Sequence, residues 1–339
     1  MIWQVDGEKT KAYNPGVDLL RIVAIVAVIL IHTTTRSLEA SGYDLRAMVG
    51  TLLVNQVMRF AVPLFFMISG FVSELSWSDS LSYGQYVVKR VSRVAVPYVA
   101  WSTIYYWAVF PKHYGSLGEA LVLGNASYQL YFIPTLIIFY ALFPVLRKVR
   151  RYLAMWPILV TLALVQAGLL YYDYFVTPLP IYSPVRIGLL NYGLFSIGLV
   201  VAEVEAKIRL VVANQRWILG VTGLILAGVI YSEGLYGYYS TGDYNAFYSQ
   251  WRPSVMLYAL IVGGLLYTVT SGLGRYRTVI KTVAGLTLGV FFVHVLVLER
   301  LWYGLGVHNG WWLFGLTAGI SFGITYVVHK MPLATKVLG

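Results

Sequence analysis

The sequence predicts an all-α integral membrane protein of about ten transmembrane helices, with both termini in the cytoplasm. The chain of 339 residues is 58% hydrophobic and 12% charged, which leaves too little polar surface to cover a water-soluble globule. Apolar runs of roughly 20 residues, the length that crosses a bilayer, recur from end to end. The gaps between them are too short for a folded soluble domain, so residues 1–339 are expected to form a single membrane domain.

Ten apolar stretches bounded by charges, Pro or Gly define the candidate spans. In chain order they cover residues 16–35, 51–73, 87–109, 128–146, 152–171, 184–202, 216–232, 253–271, 281–299 and 311–329. Within the first stretch, Asp18 and Arg21 lead into an apolar run from Ile22 to Ile31 that could be mistaken for the core of a signal peptide, but no small-residue cleavage site follows this run. The first stretch is therefore expected to stay in the protein as a helix.

The lysines and arginines between the spans set the orientation. With the N-terminus inside, the cytoplasmic segments contain seventeen of them: Lys9, Lys11, Lys89, Arg90, Arg93, Arg147, Lys148, Arg150, Arg151, Lys207, Arg209, Arg216, Arg275, Arg277, Lys281, Lys330 and Lys336. The outer segments contain five: Arg36, Arg46, Lys112, Arg252 and Arg300. Both termini are therefore predicted to be cytoplasmic. The remaining arginines, Arg21, Arg59 and Arg186, fall within spans.

The composition also argues against several classes of partner. The absence of cysteine excludes disulfides and thiolate chemistry, and the five histidines include no pair at i and i+4, so we expect no metal site. The net charge of +11 is carried by short clusters between spans, where it determines topology, and we expect no nucleic-acid partner. Membrane lipid surrounds the chain. Whether it forms a homo-oligomer stays open, because outward apolar surface meets lipid and protein alike.

The first span carries three ionisable residues, Asp18, Arg21 and His32, and such groups inside a membrane are costly unless they serve a function. Arg21 and His32 are eleven residues apart, which places them within about 20° on one helix face and about 16 Å apart along the axis. An Arg21–Asp18 surface pair and a hydrogen-bonded core histidine are the structural alternatives. The functional interpretation is that His32, in the outer half of the bilayer, accepts a proton or attacks a thioester.

Two further sets of charges lie in later spans. Arg90 and Arg93, at i and i+3 on the cytoplasmic end of the third span, either anchor the helix or clamp the phosphate groups of a cytoplasmic donor. Arg59, in the outer part of the second span, requires an anion, a carbonyl or a polarised oxygen as its partner. His294, with Glu299 five residues later, lies at a depth similar to that of His32 and could share its site.

The longest outer loop, at about 233–252, is rich in aromatic residues: Tyr236, Tyr238, Tyr239, Tyr244, Phe247, Tyr248 and Trp251. One interpretation is an aromatic belt at the membrane interface. The other is a surface that stacks on a sugar and donates hydrogen bonds to it.

At these residues the sequence resembles the acyltransferase-3 family of bacterial membrane acyltransferases, which includes polysaccharide and enterobacterial-common-antigen O-acetyltransferases. The resemblance covers essentially the whole chain. Five segments carry it, in order: Asp18-Leu-Leu-Arg21 followed by ten residues and His32; Arg59-Phe-Ala-Val-Pro63 through Ser69-Gly70-Phe71; Arg90-Val-Ser-Arg93 with Pro97; Gln129-Leu-Tyr131-Phe132; and Gly289-Val-Phe-Phe-Val-His294.

The sequence departs from the family pattern at two places, with Ile22 where many members have Gly, and Gln129-Leu-Tyr131 where many have His-Leu-Trp. Many members carry an extra extracytoplasmic domain, and we expect no counterpart of that domain in this sequence. The resemblance implies a bacterial plasma-membrane enzyme that moves an acyl group, acetyl in the first instance, from cytoplasmic acyl-CoA to a hydroxyl of an extracytoplasmic glycan or lipid-linked sugar. Succinyl is an open alternative to acetyl.

The resemblance and the charges together assign roles to nine residues. Arg90 and Arg93, assisted by Arg21, would bind the donor phosphates, while His32 removes the acceptor proton, or is itself acylated, and Arg59 stabilises the oxyanion. Candidates for the site wall are Asp18, Ser69, Tyr131 and His294. The alternative functions are a secondary transporter, which would require related halves and interrupted helices that the sequence does not display, and a flippase for a polysaccharide precursor.

Overall fold

The computed structural model describes residues 14–44, 46–78, 80–109, 115–153, 155–242, 247–269 and 273–331. Lys9, Lys11, Lys112, Tyr244 and Lys336, which entered the sequence predictions, lie outside these ranges. The described part of the chain is helical and contains no β-strand. The all-α prediction is confirmed.

Helix α1 (Pro15–Ala40) lies at the centre of the bundle. Asn14 caps it, since the Asn14 side-chain oxygen accepts from the backbone N–H groups of Gly16 and Val17, and Pro15 occupies the first turn, where its missing N–H costs nothing. Ala24, Ile25 and Ile29 are fully buried near its middle. Because later helices surround it, α1 can present His32 to a site inside the protein.

Helices α2 (Val49–Val57) and α3 (Ala61–Leu75) form one rod joined by a 3₁₀ turn at Met58–Phe60. Pro63 accounts for this turn, because it has no N–H to donate to the carbonyl of Arg59 and its ring crowds that carbonyl. The tightened turn carries Arg59, which is 4% exposed. Pro63 thus determines the backbone conformation at Arg59, the most deeply buried charged residue of this span.

The remaining helices follow in chain order. They are α4 (Tyr83–Ile104), α5 (Leu117–Leu123), α6 (Phe132–Leu153), α7 (Trp156–Tyr171), α8 (Ser183–Asn214), α9 (Arg216–Thr241), α10 (Pro253–Val269), α11 (Arg277–Gly285), α12 (Thr287–Glu299) and α13 (Gly310–His329). Helix α1 packs against α2, α3, α10, α11, α12 and α13.

Helices α3 and α8 approach each other most closely, at two glycines. A Cβ added to Gly198 would lie 2.0 Å from the carbonyl oxygen of Met67, and one added to Gly70 would lie 2.0 Å from that of Phe195. Small residues of this kind let two membrane helices bring their backbones into contact. The contact fixes the helix that carries Arg59.

All ten predicted spans contain a helix in the described residues, and seven helical segments are long and apolar enough to cross a membrane. The other three are α7 and α10, which are shorter, and α4, whose first turns carry Lys89, Arg90 and Arg93. The membrane class is therefore confirmed. The count of ten spans and the cytoplasmic position of the termini stay predictions.

The structure differs from the sequence prediction in detail. Helix α9 continues to Thr241 and ends at Gly242 with a φ of 65°, so the aromatic loop predicted at 233–252 is largely helical at its start. The ninth span is broken at Leu286, after Gly285, into α11 and α12. Helices α4, α7 and α12 each end in a π-helical turn, and all three of these ends lie on the predicted outer side.

Candidate functional site

A cavity of about 370 Å³ lies between α1, the α2–α3 rod, α12, the segment before α6 and residues 248–251. On α1 it is lined by Val28, Ile31, His32 and Thr35, whose spacing of three and four residues places them on one helix face. Arg59 lines the opposite wall. With the predicted orientation, the cavity occupies the outer half of the membrane.

The imidazole of His32 contacts two other aromatic rings, those of Tyr128 and His294. Its ring centroid lies 4.8 Å from that of Tyr128 and 5.4 Å from that of His294, with the two imidazoles inclined by 27°. The sequence predicted that His32 and His294 could share a site, and the structure brings them together. His32 lines the cavity, whereas His294 lies behind it and is fully buried.

The tautomer of His294 follows from its surroundings. Its Nδ1 lies 3.0 Å from the carbonyl oxygen of Val290, one turn earlier on α12. Because a carbonyl oxygen only accepts, Nδ1 carries the proton of the neutral ring and Nε2 is an acceptor. Nε2 is buried and meets no hydrogen-bond partner among the residues that the structure describes. The Val290 carbonyl thus fixes the orientation of the His294 ring beside His32, with Nε2 as the acceptor.

Arg59 is held by neutral groups. One terminal nitrogen donates to Oδ1 of Asn55 at 2.6 Å and the other donates to the carbonyl oxygen of Tyr248. Its guanidinium carbon also lies 5.4 Å from the centroid of the Tyr248 ring. Neither acceptor is charged, and its Nε is buried without a partner in the described part of the chain. A buried cation held this way attracts an anion or a developing oxyanion in the cavity.

A second charged group includes Arg36 and Glu39, which line the cavity, and Glu299, which lies behind them and is 7% exposed. Oε1 of Glu299 accepts from a terminal nitrogen of Arg36 and, at 3.4 Å, from the hydroxyl of Tyr128. Arg36 also donates to Glu39 at 2.9 Å. In the sequence, Arg36 stands out only as a topology signal, and Tyr128 is not among the predicted site residues. Tyr128 carries no sequence signal, since its position against His32 depends on tertiary packing.

The outermost wall consists of Tyr131 and the segment 248–251. Gln250 donates from its side-chain nitrogen to the hydroxyl of Tyr131, and the rings of Tyr131 and Trp251 meet edge to face at 6.1 Å. Burial, with the phenol of Tyr43 facing it, raises the pKa of Tyr248 above its ordinary value, so this phenol stays protonated at neutral pH. The wall presents aromatic faces and hydrogen-bonding groups, which suits a polyhydroxylated ligand.

Three phenylalanines form the inner end of the cavity. The ring of Phe132 lies 6.0 Å from that of Phe65 and 5.7 Å from that of Phe291, and all three line the cavity. We call this cluster the phenylalanine floor. On their helices, Phe65 and Phe291 lie on the predicted cytoplasmic side of Arg59 and His294, respectively.

The predicted donor-binding residues lie away from the cavity. Arg90 donates to the carbonyl oxygen of Val72 at 3.1 Å and is flanked by the rings of Tyr86 and Tyr140 at 5.8 and 5.9 Å. Arg93, one turn later on α4, is half-buried. Because both arginines are on the half of the protein opposite to the predicted outer cavity, their position agrees with the predicted cytoplasmic clamp, whose role stays a prediction.

Three other candidate residues do not line the cavity either. Arg21 and Asp18 form an ion pair at 3.2 Å on the first turns of α1. The hydroxyl of Ser69 donates to the carbonyl oxygen of Phe65 at 2.8 Å. The structure thus gathers His32, Arg59, Tyr131 and His294 at one place and leaves Asp18, Arg21 and Ser69 outside it. Within the described residues, no group of three or more His, Asp or Glu side chains could hold a metal ion.

Residues 14–330 match the model of the acyltransferase-3 family, which is described as an acyltransferase domain. No curated protein and no solved structure shows significant similarity to the chain. The family match spans nearly the whole chain and includes every residue of the cavity.

Proposed function

The chain belongs to the acyltransferase-3 family, and from this premise we propose that it transfers an acyl group from cytoplasmic acyl-CoA to a hydroxyl of an extracytoplasmic glycan or lipid-linked sugar in a bacterial plasma membrane. Acetyl is the proposed acyl group. One observation supports this most directly: a histidine and a buried guanidinium without a charged partner face the same cavity. A proton acceptor and an oxyanion-stabilising group are what acyl transfer to a hydroxyl requires.

The proposed reaction starts with the acceptor hydroxyl beside His32 and the thioester carbonyl beside Arg59. His32 removes the hydroxyl proton as the oxygen bonds to the carbonyl carbon, and Arg59 stabilises the negative charge on the carbonyl oxygen. The carbon–sulfur bond then breaks, the sulfur leaves with the bonding electrons, and His32 returns the proton to it. The products are an ester and the free thiol of coenzyme A.

A two-step route uses the same residues. The unprotonated nitrogen of His32 attacks the thioester, the carbon–sulfur bond breaks, and the leaving thiolate takes the proton from the other ring nitrogen. The acceptor hydroxyl then attacks the acyl carbon, the carbon–nitrogen bond breaks, and the hydroxyl proton passes to the imidazole. In both routes Arg90, Arg93 and Arg21 hold the donor phosphates on the cytoplasmic side, where guanidinium groups match phosphate oxygens. The acyl-bearing arm of the donor passes the phenylalanine floor to reach His32.

The acceptor is proposed to bind against Tyr131, Gln250 and Trp251. Aromatic faces pack against the apolar faces of sugars, and the amide and phenol groups exchange hydrogen bonds with sugar hydroxyls. The proposed sugar-binding surface is therefore smaller than the aromatic loop at 233–252 that the sequence suggested for sugar binding.

The test is label transfer from radiolabelled acetyl-CoA by the full chain in proteoliposomes. Wild-type protein is compared with His32→Ala, with Arg90→Ala/Arg93→Ala, and with two matched controls outside these sites, His308→Ala and Arg275→Ala/Arg277→Ala. We expect His32→Ala to abolish transfer and the Arg90/Arg93 variant to weaken donor binding, while both controls stay near wild type. Hydroxylamine-labile label on wild-type protein, lost in His32→Ala, would identify the two-step route.

The proposal fails if wild-type protein neither binds nor consumes acetyl-CoA or succinyl-CoA in the presence of candidate glycan acceptors. It also fails if His32→Ala transfers label as fast as His308→Ala. A transporter or a flippase would then be the better interpretation of the buried charges.

A further inference from the structure

A buried amide links the helix that carries His32 to the residue that faces it. Asn55, on α2, is fully buried and does not line the cavity. Its Nδ2 lies 3.1 Å from the carbonyl oxygen of Ile31, 2.9 Å from Oγ1 of Thr34 and 3.0 Å from Oγ1 of Thr35. These three residues flank His32 on α1, so the amide is attached to the turn that carries the histidine.

The other end of the same amide holds Arg59. Oδ1 of Asn55 accepts from Arg59 at 2.6 Å. A guanidinium only donates and the Ile31 carbonyl only accepts, so the amide has a single orientation that satisfies both. Asn55 therefore joins the two sides of the proposed reaction centre through one rigid, planar group.

A second buried amide supports the first. Gln56 is fully buried; its Nε2 donates to the carbonyl oxygen of Phe247 at 3.1 Å and to Oδ1 of Asn55 at 3.3 Å, and its Oε1 accepts from Arg252 at 2.8 Å. Arg252 is itself fully buried and also donates to the carbonyl oxygen of Ile230. The chain Arg252–Gln56–Asn55–Arg59 thus connects α9, α10 and the segment at 247–248 to the cavity.

The two arginines of this chain differ in their charge partners. Arg252 has the carboxylate of Glu233 at 3.9 Å, whereas among the described residues Arg59 donates to the neutral oxygens of Asn55 and Tyr248 and to no carboxylate. A carboxylate in place of the Asn55 amide would form an ion pair with Arg59 and cancel most of the charge that it presents to the cavity. The neutral amide keeps Arg59 fixed without neutralising it.

We propose that Asn55 is a positioning residue for acyl transfer, which sets the place of the Arg59 guanidinium relative to His32 and preserves its uncompensated charge. This inference rests on the proposed function. Asn55 does not line the cavity and does not contact the reacting groups. It would therefore affect turnover through Arg59.

The experiment measures acetyl-CoA turnover by the full chain in proteoliposomes. Asn55→Asp should lower kcat by about tenfold or more, since it neutralises an oxyanion-stabilising group, and leave KM for acetyl-CoA within about twofold of wild type. Its melting temperature should fall no further than that of Asn191→Asp, because both variants lose a hydrogen bond to a backbone carbonyl oxygen and only the Asn55 variant gains an ion pair, with Arg59. Asn191→Asp is the matched control: Asn191 is equally buried, donates to the carbonyl oxygen of Ile187 at 2.8 Å and lines no part of the cavity. It should lose stability but keep its kcat.

A double-mutant cycle separates positioning from general structural damage. Asn55→Ser, which removes the amide without adding charge, should lower kcat in the wild-type background and have no further effect in an Arg59→Met background. Losses that multiply in the double variant would overturn the inference, as would an Asn55→Asp protein with wild-type kcat. If wild-type protein itself consumes no acyl-CoA, the proposed function fails and the inference fails with it.

Discussion

Replacing Gly198 by Ala should force α3 and α8 apart. The added Cβ would lie 2.0 Å from the carbonyl oxygen of Met67, whereas ordinary van der Waals contact begins at 3.4 Å. The difference, 3.4 − 2.0 Å, requires a separation of about 1.4 Å between two backbones, neither of which can rotate away as a side chain can. Overpacking of this kind typically costs about 1–3 kcal/mol, and we expect a melting temperature lower by on the order of 2–6 °C.

The assay is thermal unfolding of purified protein in detergent, with Gly228→Ala as the matched control. Gly228 lies inside α9, and a Cβ there would meet nothing within 4 Å, so its replacement should be neutral or stabilising by up to about 1 kcal/mol. Gly70→Ala acts on the same helix contact, and its cost should add little to that of Gly198→Ala. Equal melting temperatures for Gly198→Ala and Gly228→Ala would refute the reasoning. Because α3 carries Val62 and Phe65 on the cavity wall, acyl transfer should fall together with stability.

Three further predictions concern the cavity. Arg59→Met should lower kcat for acyl transfer by about 10²–10³-fold with acetyl-CoA affinity retained, and equal kcat in wild type and variant would contradict the oxyanion role. Phe65→Ala removes one ring of the phenylalanine floor and should raise acyl-CoA hydrolysis in the absence of acceptor, measured as thiol release. A rate no higher than wild type would show that the floor does not limit access of water to the thioester. Glu299→Gln leaves Arg36 without its buried carboxylate and should destabilise the protein by about 1–3 kcal/mol, whereas replacement of the exposed Glu119 of α5 by Gln should leave the melting temperature unchanged.

Hydropathy was sufficient to predict the helical class and the approximate positions of the membrane helices. Apolar length alone located the helices, because a bilayer leaves the backbone no alternative to internal hydrogen bonds. It did not locate the breaks: Pro63 produced a 3₁₀ turn and Gly285 preceded a break, and both events depend on neighbouring helices. The extension of α9 into a polar, tyrosine-rich stretch was also missed, since that stretch reads as a loop.

The candidate site was predictable where a charge stood out against an apolar span. His32, Arg59 and His294 were found in this way, and the structure places them together. Tyr128 and Arg36 were not found, because an aromatic residue and an arginine near a span end resemble membrane-interface anchors. Asn55 and Gln56 did carry a signal that was overlooked: two adjacent amides inside an apolar span need buried partners, and those partners are Arg59 and Arg252.

Two parts of the cavity lining differ in how well they tolerate amino-acid substitution. His32 and Arg59 project from helices at the centre of the bundle, where few replacements would be tolerated. Tyr248, Ser249, Gln250 and Trp251 line the cavity from the connection between α9 and α10. Connections between helices tolerate substitution and insertion far better than packed helices do. A lineage of such proteins could therefore acquire new acceptors by varying four consecutive residues while inheriting the chemical half of the cavity unchanged.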